Sequence, residues 1–335
     1  MAQLVRAVYQ DGAFVPEEPC DVPDGMGVEL IVQGRAARPS FFKMGELIMD
    51  TFKMVERLYE RKELLTGVPT GFLSLDRMTA GLQPSDLIIV AARPSMGKTS
   101  FVLSIAQYIA LAANTAVGIF SLEMSKEQLV LQMLCSQARV ADFKVCPGSL
   151  GERDSLRLAM AAERLAEAPI FIDDTPPHHV RDLCTKVRRL HAETRIGLVI
   201  IDNLLMQLFD AQGNRIQGLS AIARSLKSLA RELKVPIIAT SPLSHRVERR
   251  ADKRPKLSDI DGLDELAPYT DVIMFIYRDK VYNPYPQDEG EAEIIIGKQR
   301  NGPTGTVYLA FREEYARFDN LVERLESLEE TAKEG

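Results

Sequence analysis

The chain has 335 residues, 46% of them apolar and 26% charged, with a formal net charge of −6. That length supports one large core with smaller appendages, and the composition is that of a water-soluble globular protein. The charge excludes a chain that is basic throughout, yet leaves room for a local basic groove. No run reaches the ~18 apolar residues of a membrane span, and Met1 to Val8 has no apolar stretch of the secretory type. Cys20, Cys135, Cys146 and Cys184 lack the close spacing of a zinc or redox motif. They are expected to be inert thiols in a reducing compartment, which makes a cytoplasmic protein the expectation.

Residues 1–34 have the pattern of a small β unit. A strand around Leu4 to Val8 meets a turn at Asp11-Gly12, and Phe14-Val15 resumes the strand. Asp24-Gly25 is a second turn before a third strand, Val28 to Val32. Three strands this short bury too little surface to be robust alone, so self-pairing or docking on a protein partner is expected. Residues 35–65 are a linker and an amphipathic helix. Ser40 can cap it, and Met44, Leu47, Ile48, Phe52, Val55, Leu58 and Tyr59 recur at helical spacing to about Arg61.

Residues 66–320 alternate strands and helices. Leu87 to Ala91, Ala116 to Ser121, Ile170 to Ile172, Leu198 to Ile201, Pro236 to Thr240, Val272 to Ile276 and Glu293 to Ile296 are the predicted strands, with helices from Thr99 and from Lys126. Runs apolar on both faces suit a mostly parallel sheet covered by helices, an α/β fold. Residues 321–335 form a charged tail expected to fray.

The chemistry begins at Ala92-Arg93-Pro94-Ser95-Met96-Gly97-Lys98-Thr99, followed by Ser100. Between a strand and a helix this is a P-loop, whose backbone N–H groups curl around phosphate oxygens at a helix N-terminus. Gly97 permits the close approach, Lys98 reaches the β and γ phosphates, and the Thr99 hydroxyl is a ligand for Mg2+. ATP with Mg2+ is the cofactor expected. Ala92 replaces the usual first glycine with a residue nearly as small. Asp202 ends an apolar strand, where a second carboxylate holds the metal through water. Glu123 follows the strand ending at Ser121 and has two readings. It can polarise the attacking water, or be a helix-start acid favoured by the helix dipole. Lys298 and Arg300 alternate onto one face, as a solvated edge or as cations reaching a neighbour's γ-phosphate.

Taken in order, these residues resemble the motor domain of the bacterial replicative DNA helicase (DnaB) family from about Thr66 to Asn320. The resemblance rests on Thr70-Gly71-Phe72, Leu75-Asp76 and Gly81-Leu82-Gln83-Pro84. It continues through Arg93 to Thr99, Phe120 to Ser125 and Ile172 to Pro176, and ends in Tyr277-Arg278-Asp279 and Lys298 to Pro303. It implies a RecA-like fold in a ring, normally a homo-hexamer, with ATP at subunit interfaces. It implies water activation by Glu123, a Walker B role for Asp202, and a trans-acting finger of Lys298 and Arg300. The helix from Ser40 to Arg61 is then the family's linker helix, docked on the adjacent subunit. Residues 1–34 resemble small antitoxin-type domains through Ala7-Val8-Tyr9, Gly12, Phe14, Pro16 and Pro23-Asp24-Gly25. They stand where the family has a helical, primase-binding domain.

Three positions depart from the family pattern. The loop of residues 258–268, implied to hold single-stranded DNA, has Asp261-Gly262-Leu263-Asp264-Glu265 where the family has Arg-Glu-Ser-Gly. Acids repel a polyanion and forfeit phosphate contacts. Pro242 replaces a γ-phosphate-sensing Gln, and Asn203-Leu204-Leu205 replaces Tyr-Leu-Gln, so another polar group near the site is expected to be gone. Basic residues elsewhere, His245, Arg246, Arg249, Arg250, Lys253 and Arg254, could hold DNA or form a solvated face. The expected function is a ring-forming helicase ATPase. The alternative is a paralogue that uses ATP to assemble or switch and binds a protein partner. An inactive scaffold is disfavoured because Glu123, Asp202 and Arg300 are all present.

Overall fold

The computed structural model describes residues 7–10, 13–16, part of 43–56, and 65–145, 150–175, 179–203, 215–283 and 290–321. The chain divides into two compact units, Met1–Arg57 and Leu58–Gly335.

In the first unit, β1 (Ala7–Gln10) and β2 (Ala13–Pro16) pair antiparallel, with Gln10 opposite Ala13. The turn expected at Asp11-Gly12 lies outside the described residues. The expected third strand, Val28 to Val32, lies outside the described residues. Met44, Gly45, Ile48, Met49, Phe52, Lys53 and Glu56 are helical and exposed, as the helical spacing predicts. Met44 is 72% exposed, Ile48 56% and Phe52 59%; Leu47, Val55, Leu58 and Tyr59 lie outside the described residues.

Among the described residues, the second unit contains a nine-stranded sheet ordered β11-β10-β9-β8-β3-β7-β6-β4-β5. The parallel part comprises β3 (Leu87–Ala92), β4 (Val117–Ser121), β5 (Ile170–Asp173), β6 (Leu198–Asp202), β7 (Ile237–Pro242) and β8 (Val272–Tyr277). In β3, Ile88 and Val90 join one core cluster, while Leu87, Ile89 and Ala91 join another. Alternate residues face opposite sides of a sheet, so a strand covered on both faces must be apolar throughout. The first face is covered by the helix Lys98–Ala112 through Phe101, Ile105 and Ile109. The second is covered by the helices Val180–Thr194 and Arg215–Leu233 through Val187, Leu226 and Leu229.

Three antiparallel strands extend the sheet beyond β8: β9 (Glu291–Gln299), β10 (Gly305–Arg312) and β11 (Arg317–Asn320). Of these only part of β9 is predicted from the sequence. Of the other two, β10 carries the apolar run Val307 to Phe311, which the sequence reading misses, and β11 is four residues long with Phe318 its one buried residue. Among the described residues no helix is long and apolar enough to cross a membrane. Cys135 and Cys184 are buried and unpaired, and burial pushes both thiols up, as expected of inert cysteines. The tail beyond Leu321 lies outside the described residues.

Candidate active site

The carboxyl ends of β3, β4, β6 and β7 meet at one edge of the sheet. β3 ends at Ala92, which is fully buried and so suits a small residue. The chain then curls through Ser95 at φ 63° and Gly97 at φ 93°, and the helix begins at Lys98. Gly97 has a second constraint: a Cβ there would lie 3.1 Å from the Phe318 ring and 3.2 Å from the Phe311 ring. No side chain caps this helix, and its first turn carries no acid. The unpaired N–H groups and the positive end of the dipole are therefore free to meet an anion.

Lys98 lies beside this turn, with Nζ 3.4 Å from the Ala92 carbonyl. Burial pulls its ammonium pKa down, against the opposing pull of Asp202 and Glu123. Thr99 Oγ1 donates to Asp202 Oδ2 at 2.7 Å, and Thr240 Oγ1 donates to Asp202 Oδ1 at 2.5 Å. Asp202 is 1% exposed, and burial raises its carboxyl while the two hydroxyls oppose the rise. The side-chain donors gathered here, Thr99 Oγ1 and the Asp202 carboxylate, are hard oxygens. That fits Mg2+, which prefers one or two protein oxygens and completes its shell with water and phosphate.

Glu123 lies just ahead of the helix that follows. Its N-cap is Ser125, in a reciprocal capping box with Gln128, and the helix runs Lys126–Ala138. Glu123 precedes the cap, so it is not a first-turn acid. Instead Asn203 Nδ2 donates to Glu123 Oε2 at 3.4 Å, and Leu122 N donates to the Asp202 carbonyl at 2.6 Å. Asn203 is thus a polar group placed at the site, while Leu205, which stands where the family has Gln, lies outside the described residues.

Other P-loop residues do different work. Arg93 is 6% exposed, and its guanidinium donates to Leu243 O at 2.7 Å and Glu248 Oε1 at 2.9 Å, and meets His245 Nδ1 at 2.8 Å. Only its backbone is left for a ligand. Pro94 and Ser95 are exposed, Met96 is buried, and Ser100 Oγ accepts from Gln132 Nε2 at 3.0 Å. Arg278 donates to the Ser95 carbonyl at 3.0 Å, pairs with Glu313 and lies 4.0 Å over the Phe311 ring. Sequence reasoning does not single out Thr240, Asn203 or Arg278 as site residues. The polar Thr240-Ser241 interrupting an apolar strand is the available signal for the first.

Lys298 and Arg300 are elsewhere. Gln299 pairs with Val272 at the start of β8, and Val272 pairs with Ile88 at the start of β3. The P-loop follows the other end of β3, about five residues or roughly 16 Å along the strand. The two cations do share one side, as alternation predicts, but they are at the edge of the sheet opposite their own P-loop.

The basic run is largely consumed internally. Arg250 grips Asp259 at 2.8 Å and Arg254 grips Glu293 at 2.6 Å. In the 258–268 loop, Gly262 at φ 75° opens a short helix, Leu263–Leu266, and Asp261 is exposed. Glu265 accepts from Ser220 N at 3.2 Å. Pro242 ends β7 opposite Ala92, where its missing N–H breaks no inner rung of the ladder.

A largely parallel sheet with this uncapped glycine-lysine turn, a strand-end aspartate and a neighbouring strand-end glutamate defines a RecA-like P-loop ATPase. The sequence profile of the DnaB-like helicase C terminal domain matches residues 67–320. Over 97% of this chain, the replicative DNA helicase DnaB of Geobacillus stearothermophilus is 47% identical, and the match spans 73% of that relative. The replicative DNA helicase DnaC of Bacillus subtilis is also 47% identical over the same shares. Among solved structures, a DnaB-like replicative helicase, described with its interactions with primase, superposes with a TM-score of 0.76 at 35% identity, covering 84% of this chain and 67% of that one. A second solved structure, an ATPase domain, gives 0.78 at 36% identity, covering 83% of this chain and 99% of that one. The chain belongs to the DnaB-like helicase family and is a helicase ATPase. The reading as a paralogue that has left helicase work is not favoured.

Proposed function

We propose that copies of this chain assemble into a ring, normally a hexamer, that hydrolyses ATP at subunit interfaces and moves on single-stranded DNA. One observation supports this above others: Lys98, Thr99, Glu123 and Asp202 gather at one edge of the sheet while Lys298 and Arg300 sit at the opposite edge. A complete site then needs two copies, as catalysis by a trans-acting cation requires.

In this reading the backbone from Arg93 to Ser100, including Pro94, Ser95, Met96 and Gly97, wraps the phosphates. Lys98 neutralises the β and γ oxygens. Thr99, with Asp202 acting through water, would hold Mg2+, which spreads the developing charge. Glu123, steadied by Asn203, takes a proton from water as it attacks the γ-phosphorus and the bond to the β-phosphate oxygen breaks. The neighbour's Arg300 and Lys298 stabilise the charge that builds up.

The exposed stripe Met44, Ile48 and Phe52 serves as the linker-helix contact with the adjacent copy, and residues 1–34 as the surface for a protein partner. Phe52→Asp is expected to shift the sedimenting species from a ring toward smaller assemblies and to lower turnover with it. An unchanged ring mass removes the stripe from the interface.

The test of function is the ATPase rate of the purified protein with and without single-stranded DNA, beside unwinding of a forked duplex. DNA-stimulated turnover with unwinding is expected; a ring that forms but ignores DNA in both assays overturns the reading. The exposed Asp261 keeps DNA binding weak. Asp261→Arg should tighten it and steepen the log–log salt dependence by about 0.7 for each further phosphate neutralised. An unchanged slope takes Asp261 off the DNA path.

A further inference from the structure

Lys298 and Arg300 are held by a single turn, Ala267–Asp271. Lys298 Nζ donates to the Ala267 carbonyl at 2.5 Å and the Thr270 carbonyl at 2.7 Å. Arg300 donates from its guanidinium to the Pro268 carbonyl at 3.0 Å and from its backbone N–H to the Asp271 carbonyl at 2.9 Å. Its Nε lies 3.6 Å from Asp271 Oδ1.

The turn is anchored in the sheet. The Asp271 side chain is 4% exposed, and its Oδ2 accepts from Leu87 N at 2.9 Å and Lys227 Nζ at 2.5 Å. A carboxylate that deep needs charged partners, and Lys227 and Arg300 supply them.

The turn is also continuous with the 258–268 loop. Ala267 N donates to the Leu263 carbonyl, and Thr270 donates to the Leu266 carbonyl through both N and Oγ1. Tyr269 ties it sideways: its hydroxyl accepts from Arg224 at 3.0 and 2.8 Å, with that guanidinium 5.4 Å from the ring. Arg224 is on the helix whose Ser220 holds Glu265 of the loop.

We propose that the Ala267–Asp271 turn positions the trans-acting cations, delivering displacement of the 258–268 loop to the nucleotide on the neighbouring copy. Asp271 and Tyr269 are positioning residues that touch no substrate. The proposal rests on the reading of Lys298 and Arg300 as trans-acting. An arginine finger contributes about 10³–10⁵ in rate, and a misplacement of about 1 Å costs on the order of 100-fold, so a small shift of this turn suffices.

The experiment measures ATP turnover with saturating single-stranded DNA for Asp271→Asn and Tyr269→Phe, each alone and mixed with Lys98→Ala subunits. Asp271→Asn is expected to lower kcat about 100-fold and Tyr269→Phe about tenfold, with KM for ATP within twofold of the parent. In mixed rings the Lys98→Ala subunit offers an intact finger to the variant's intact P-loop. Turnover should then exceed the weighted mean of the separate proteins, which a merely structural defect does not produce. Arg300→Ala is the reference. If it alone loses no activity, the trans reading fails. If it loses activity and complements in mixtures while neither turn variant does, the positioning role of the turn is overturned. Should Asp271→Asn not fold, Tyr269→Phe, which loses only a hydroxyl, decides alone.

Discussion

Lys98→Ala is expected to weaken ATP binding by about 100-fold or more and to stop turnover. Removing one member of a desolvated charge pair costs about 3–5 kcal/mol, and the γ-phosphate is the partner that Lys98 awaits. Fluorescent-nucleotide titration and phosphate release measure the two effects, and unchanged affinity refutes the site. The fold should not suffer. Burial pulls the Lys98 pKa down, so the folded, nucleotide-free protein bears the charged ammonium at a cost. The sign follows: the penalty is fully present at pH values where the lysine is charged in the folded protein, and it fades as pH rises through its lowered pKa. The alanine variant should therefore melt no lower than the parent at pH 7, which separates loss of binding from loss of structure.

Glu123→Gln should lower turnover by about 10²–10⁴ while leaving nucleotide affinity near its parent value, because general-base catalysis contributes that much and the amide keeps the shape. Glu123 is exposed ahead of the Ser125 cap, so neither helix nor core depends on its charge. Single-turnover phosphate release, measured beside nucleotide binding, checks this. A loss below about tenfold would return Glu123 to the role of a loop carboxylate.

Much of this site is legible in the sequence because its signals are local. A strand, a glycine-lysine turn and a helix are adjacent in the chain, and Asp202 closes an apolar run that stands out from its surroundings. What brings these together is not local: Thr99 and Asp202 are 103 residues apart, and only the order β3-β7-β6 carries them to one edge. For the same reason Thr240 is hard to see in the sequence, since its value lies in a hydrogen bond to a neighbouring strand. The motif makes Arg93 resemble a phosphate ligand, yet Leu243 and Glu248, about 150 residues on, take its guanidinium. Arg250 and Arg254 read as free cations for the same kind of reason, their partners being folded onto them. β11 is hard to see because it has four residues and buries only Phe318, whereas β10 carries the apolar run Val307 to Phe311 and is a strand the sequence reading overlooks.

The floor beneath Gly97 has a consequence for how the protein is made. Phe311 and Phe318 close under the phosphate-binding turn, and Phe318 packs edge-on to Phe101 with ring centres 5.4 Å apart. Those aromatic rings belong to the final two strands of the sheet, and they leave the ribosome long after the motif they support. A nascent chain that has emerged only as far as Arg300 already carries the full P-loop string but not the surface it rests on. The surface beneath the phosphate-binding turn is therefore complete only once β10 and β11 have been made.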